Sequence, residues 1–315
     1  MPPYGYGPPM SPKPGVIPLR PLRLGDIFEG AIATIRGNPG ATIGLSLILG
    51  LVVTVLVVVG MVGVAQIPTG SDDAATGLTL AVSYGGKFLW AFAGLILTGM
   101  LIAVLSEAVL GRRMTIGAAW GRARPRIWSL IGLSVLLFLA AMISLAIVVV
   151  LLVVLGMTAG STPTIIVGVL LGIGWFLGMV FCYVRLSLAS AAIVLERIGP
   201  IRACKRSWSL TGGQFWRIFG ITLLAALVVG FISGVLSGIA TLGAEAISLS
   251  STSDADHVLT VTLIVSTITG TLVSALTAPF QANVTGLLYL DQRIRKEGLD
   301  VTLMAAADPK ASAAR

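Results

Sequence analysis

Six long apolar stretches, at about 41–65, 88–110, 128–157, 164–186, 215–243 and 258–289, alternate with short segments that carry almost every charge. Each is as long as the roughly 20 residues a helix needs to cross a hydrocarbon core. A helix is the predicted form, because an open strand would leave backbone groups without partners in lipid. The charged segments alternate in sign. Lys13, Arg20, Arg23 and Arg36 precede the first stretch, and Arg112, Arg113, Arg122, Arg124 and Arg126 follow the second. Arg185, Arg197, Arg202, Lys205, Arg206 and Arg217 surround the fourth-to-fifth connection, and Arg293, Arg295, Lys296, Lys310 and Arg315 follow the sixth. Of the 21 cations only Lys87 falls elsewhere, and the alternate loops carry Asp72, Asp73, Glu245, Asp254 and Asp256. Cations held to one side predict an even number of spans with both termini in the cytoplasm.

The polar segments have a pattern of their own. Leu24, Ile27, Phe28, Ala31, Ile32 and Ile35 recur at helical spacing and form one apolar face, with Arg23, Asp26, Glu29 and Arg36 off it. The spacing of Asp26 and Glu29 predicts a helix start near Asp26, and Asn38-Pro39-Gly40 predicts a break before the membrane stretch. Ile43-Gly44-Leu45-Ser46, Ile131-Gly132-Leu133-Ser134 and Phe219-Gly220-Ile221-Thr222 each open an odd-numbered stretch, their glycines 88 residues apart twice over. A basic, Trp-bearing segment precedes the later two, with Trp120 and Trp128 in one and Trp208 in the other. The predicted fold is therefore all-α: a polytopic membrane protein of six transmembrane helices, arranged as three repeats of an interfacial amphipathic helix plus a two-span hairpin.

Composition sharpens this picture. Of 315 residues, 56% are hydrophobic and 11% charged, with a mean hydropathy of +0.98. A soluble domain carries about 25% charged residues and could not hide so much apolar surface. The net charge of +8 would suggest nucleic acid in a soluble chain, but topology accounts for it here, and no nucleic-acid partner is expected. Residues 1–21 hold eight of the fifteen prolines and are expected to form a disordered Pro/Gly-rich tail. Residues 22–298 form the membrane domain, and 299–315 a flexible tail. The first long apolar stretch is too long for a cleavable leader. Cys182 and Cys204 are read as small core residues rather than a disulfide pair.

Inside the stretches, Gly230, Gly234 and Gly238 share a face of the fifth, and Gly168, Gly172, Gly174 and Gly178 lie in the fourth. This spacing predicts close packing between helices of the same chain, with a dimer seam as the alternative. Pro279 interrupts the sixth, with Gln281, Asn283 and Thr285 just beyond it, which predicts a kink or a cavity lining. Glu107 lies near the cytoplasmic face, where an arginine can pair with it, and charges at mid-membrane are nearly absent.

The chemistry of catalysis is missing. The single histidine, His257, leaves no pair for a two-histidine metal site. No phosphate-cradling glycine loop and no Gly-x-Ser-x-Gly elbow occur. Asp254, Asp256 and His257 are read as a solvated loop. No metal, cofactor or catalytic residue is expected.

Three segments carry a family resemblance: Pro21-Leu22-Arg23-Leu24-Gly25-Asp26-Ile27, residues 202–217 from Arg202 through Trp208 to Phe215-Trp216-Arg217, and residues 288–298 from Leu288-Tyr289-Leu290-Asp291 to Gly298. They resemble the membrane domain fused to some bacterial glycerophosphoryl diester phosphodiesterases, most nearly the stand-alone actinobacterial versions with a proline-rich tail. In the fused enzymes a separate soluble barrel with histidines and acidic metal ligands performs catalysis, and this chain has no room for one. The resemblance implies a non-enzymatic protein of the bacterial plasma membrane, near phospholipid or envelope homeostasis.

Three functions are consistent with these readings. The first is contact with anionic lipid headgroups through Arg112, Arg113, Arg122, Arg124, Trp128, Arg202, Lys205, Arg206, Trp208 and Arg217. The second is a transporter or lipid translocator with a pathway near Pro279, Gln281 and Asn283. The third is a scaffold recruiting a partner through the Pro-rich tail.

Overall fold

A computed structural model of the chain describes residues 15–18, 20–65, 72–250 and 255–298. Among these, no strand occurs. In chain order the helices are α1 (Leu24–Gly37), α2 (Pro39–Ala65), α3 (Asp72–Val109), α4 (Ile116–Ala123), α5 (Ile127–Ala159), α6 (Ser161–Leu186), α7 (Ala189–Glu196), α8 (Pro200–Thr211), α9 (Phe215–Ser250) and α10 (Ala255–Glu297). A 3-10 turn, Arg124–Arg126, joins α4 to α5. The tails over 1–14 and 299–315 lie outside the described residues, as do the side chains of Asp72, Asp73, Lys87, Glu245, Asp254, Asp256 and His257.

Five segments are long and apolar enough to cross a membrane: Pro39–Gly60, Phe88–Val109, Ile116–Thr158, Thr164–Glu196 and Phe215–Gly243. The sixth predicted stretch lies within α10, whose described residues are punctuated by Thr271, Thr277, Gln281 and Asn283 and do not reach the same apolar standard. Pro279 sits inside α10, which continues past it to Glu297.

Local chemistry explains the boundaries. The Arg23 amide donates to Asp26 Oδ2 at 2.8 Å, so Asp26 serves the third position of α1 and the helix begins at Leu24, earlier than its spacing with Glu29 suggested. Asn38 ends α1, its side-chain amide donating to the Met114 carbonyl at 2.7 Å, and Pro39 then opens α2. Inside the apolar helices, hydroxyls return their protons to the carbonyl one turn back. Ser46, Ser134 and Thr222, the fourth residues of the three matching tetrapeptides, all do this and are all buried.

The long helices pack as hairpins: α2 with α3, α5 with α6, and α9 with α10. Neighbouring hairpins meet through α3 against α5, α6 against α9, and α10 against α2. Three of the four short helices rest each on the second member of a different hairpin, α4 on α3, α8 on α6 and α1 on α10, while α7 lies against α3 and α8. Gly44 of α2 lies against Ile116 at the start of α4, and Gly132 of α5 against Pro200 at the start of α8.

The core sits at the basic end. Ile102, Ala103 and Leu105 of α3, Ala189 to Val194 of α7, and Val284 and Leu287 to Leu290 of α10 converge there, together with Ile17, Leu22, Ile27 and Ala31. Residues 15–18, 20 and 21, expected to belong to the disordered tail, are therefore partly folded. Ile17 is fully buried, the Val16 amide donates to the Ala108 carbonyl at 3.3 Å, and a Cβ on Gly15 would fall 2.3 Å from the same oxygen. Proline lowers the entropy lost on docking, and the apolar Val16, Ile17 and Leu22 gain burial.

The other end is sparsely packed. The α5–α6 hairpin presents Ile143, Ile147, Val150, Ile166, Leu170 and Phe176 outward. Among the described residues, no heavy atom lies within 4 Å of a Cβ added at Gly230, Gly234 or Gly238, nor of one added at Gly172, Gly174 or Gly178. Only Gly168, near Leu152, makes such a contact. Among the described residues, the expected packing through these glycines is thus largely absent.

Candidate functional site

Three carboxylates, each near the end of a second hairpin helix, organise the basic end. Glu107 of α3 pairs with Arg122 of α4. Glu196, closing α7, accepts two hydrogen bonds from Arg206 Nε at 2.9 and 3.0 Å and one from its Nη2 at 2.7 Å. The Tyr289 hydroxyl also donates to Glu196, and Arg206 reaches Glu297 as well. This carboxylate pair holds the Arg206 guanidinium charged even further above its already high range.

Asp291 of α10 is the third and the most buried, with no exposed side chain. It accepts from the Leu22 amide at 2.8 Å, from Arg295 Nε at 3.0 Å, and from Arg217 at the start of α9. Arg217 and Arg295 also donate to the Leu22 carbonyl, at 2.7 and 3.0 Å. The N-terminal segment, α9 and α10 are thereby tied at one point. Lys296 Nζ donates to the Ser209 and Gly212 carbonyls at 2.8 and 2.7 Å, closing the C-terminus of α8.

This placement divides the ten residues expected to meet headgroups. Arg112, Arg113, Arg124, Arg202 and Lys205 are exposed. Trp128 is 81% exposed, and Trp208 extends beside Arg185, whose guanidinium lies 4.9 Å from its ring and 5.3 Å from that of Phe181. Arg122, Arg206 and Arg217 are instead engaged by carboxylates of their own chain. Sign alone does not reveal a partner that lies far along the chain. Trp216, 78% exposed beside Arg217, joins the aromatic set. Of the two thiols, Cys182 is exposed on α6 and Cys204 is partly buried on α8, where burial pushes its pKa up.

Two concavities bear on function. The first is a cleft of about 510 Å³ among the ends of α3, α4 and α7, lined by Arg122, Arg126, Arg197, Ser106, Ala118 and Gly121. Arg197 caps α7 in the left-handed conformation (φ 56°, ψ 40°), the one non-glycine residue at positive φ among those described. That conformation costs a side-chain-bearing residue roughly 1–2 kcal/mol. In the sequence Arg126 and Arg197 are topology signals only, and it is their company in space that points to a site.

The second is a cavity of about 280 Å³ between α2, α3, α9 and α10, lined by Trp90, Gly94, Ser46, Thr277, Ala278 and Gln281. The Gln281 side-chain oxygen, Oε1, is buried there with no hydrogen-bond partner among the described residues. Of the residues predicted to line a pathway, Gln281 meets this expectation, while Asn283 points away and donates to the Ala31 carbonyl at 3.3 Å. Asn283 is fully buried and locks α10 to α1.

Comparison with known proteins adds one match. A family model described as a domain of unknown function (DUF7847) covers residues 22–288. No curated protein and no solved structure matches the chain.

Proposed function

From the chain's membership of the DUF7847 family, whose description assigns no activity, and from the geometry above, we propose a non-catalytic, six-span protein of the bacterial plasma membrane whose basic end contacts anionic lipid headgroups. The observation that carries this reading is the clustering of exposed Trp128, Trp208 and Trp216 with Arg112, Arg113, Arg124, Arg202 and Lys205 at the end where the short helices lie. An amphipathic ring and a long cation both suit the headgroup layer, and each cation near an anionic surface adds about 1 kcal/mol of attraction. Both termini lie in the cytoplasm in this reading.

The helix order supports three copies of a short helix plus hairpin: α1 with α2 and α3, α4 with α5 and α6, α8 with α9 and α10. In the second copy the returning helix breaks at Ser187-Leu188, so that α6 and α7 together match α3 and α10. The cyclic packing of hairpins, and the equivalent seats of Gly44 and Gly132, point the same way. Two of the segments quoted for the resemblance touch in space, Arg217 meeting Asp291 and Lys296 meeting Ser209.

The test is the lipid that accompanies the full chain through purification in mild detergent. Phosphatidylglycerol and cardiolipin should be enriched over the bulk membrane, as measured by mass spectrometry. A bound pool with the bulk composition would sink the proposal. The cavity at Gln281 favours a second reading, lipid translocation. Transbilayer movement of fluorescent lipid in proteoliposomes, slowed by filling the cavity with Ala278→Phe, would support it.

A further inference from the structure

We infer that the cleft bounded by Arg122, Arg126 and Arg197 is a discrete binding site for a phosphate monoester. Its seat at the headgroup level rests on the membrane reading above, but its chemistry does not. The lining brings three guanidinium groups together from three separate elements, and no acidic residue lines the cleft. Glu107 neutralises one of them through Arg122. Among the described residues the side chains of Arg126 and Arg197 have no hydrogen-bond or ion-pair partner.

The site thus keeps a charge near +2, which matches the −1.5 to −2 or so of a phosphate monoester at neutral pH rather than the single charge of a diester headgroup. Guanidinium forks suit planar, two-point recognition of phosphate oxygens. The volume of about 510 Å³ is ample for a phosphate with a small organic group.

Two further details point to a built site. Arg197 is held in the left-handed conformation, where glycine or asparagine would be less strained, and this posture sets its side chain on the cleft. Gly121 leaves the wall open, with nothing within 4 Å of the Cβ it lacks.

The ligand's source is either a lipid, with phosphatidic acid as probe, or a soluble ester, with inorganic phosphate as probe. The full chain in neutral detergent is titrated with inorganic phosphate by calorimetry, and its lipid adducts are measured by native mass spectrometry against phosphatidic acid, phosphatidylglycerol and phosphatidylcholine. Arg126→Gln and Arg197→Asn should each weaken binding about tenfold, the loss of one charge-assisted contact. Gly121→Met should do the same while leaving every charge in place. Arg197→Asn suits the left-handed backbone and Gly121→Met suits a helix, so a melting temperature that does not fall separates lost binding from lost folding.

Cleft-dependent binding of phosphate assigns a soluble ligand, and cleft-dependent binding of phosphatidic acid alone assigns the headgroup. Binding that all three variants leave intact, or wild-type protein that takes neither probe, overturns the inference. If wild type and variants share one preference for phosphatidylglycerol, the headgroup reading survives and this site does not. If no anionic lipid is preferred yet phosphate binds through these residues, the outcome is the reverse.

Discussion

Asp291 is the residue on which most of the basic end turns. Its carboxylate, wholly buried, faces two guanidinium groups and a backbone amide. Replacing it with Asn leaves Arg217 and Arg295 without their counter-charge, and breaking such a pair costs about 3–5 kcal/mol. A large drop in melting temperature in detergent is therefore expected for Asp291→Asn. Glu107→Gln breaks a pair whose arginine side chain is 46% exposed, and pairs of that kind are worth at most about 1 kcal/mol. Similar losses for the two variants would contradict this assignment of roles. Removing the constraint on Arg197 with Arg197→Gly should raise stability by about 1 kcal/mol, seen as a higher melting temperature. The charges themselves were legible in the chain, and so was their grouping into alternate segments. Which of them are internal was not, since Arg217 and Asp291 are separated by 74 positions.

At the level of helices, a few glycines mark where one helix meets the side chains of another closely. An added Cβ on Gly286 would lie 2.5 Å from Leu105 Cδ2, and one on Gly99 would lie 2.6 Å from Leu130 Cδ1. Gly286→Val should overpack the core and cost about 1–3 kcal/mol. Gly234→Val on α9, with no described atom against it, should leave the melting temperature of the monomer almost unchanged. Loss of a dimer band in the Gly234 variant alone would show that this face meets a second copy. The glycine spacing was readable, but spacing does not say which helix face has a partner. The break between α6 and α7 was equally hidden, because Ser187-Leu188 carries no proline or glycine. Helix starts fared better where chemistry marks them, as Asn38-Pro39 does for α2.

The whole molecule is asymmetric along its long axis: a dense, charged end and a loose, apolar one. A chain with so many exposed Leu, Ile and Val side chains finds its resting place among acyl chains. In a chain whose Cys182 and Cys204 are replaced by Ala, Thr158→Cys should react with a membrane-impermeant thiol reagent on intact cells. Arg202→Cys should react only after permeabilisation. The opposite labelling pattern would reverse the proposed orientation.

The chain by itself determined that it is helical and where most of the long helices run, because apolar length and the placing of cations are local properties that need no partner to be read. The match between the openings at Ser46, Ser134 and Thr222 was also written there, and each of these hydroxyls is buried against its own helix. Tertiary structure alone decided that α7 and the ends of α3 and α10 form the core, that Ile17 and Leu22 fold onto it, and that Arg122, Arg126 and Arg197 share a cleft. Those outcomes depend on which distant segments meet. In a lipid-like setting, where apolar faces are nearly interchangeable, small differences in shape and a few buried charges make that choice.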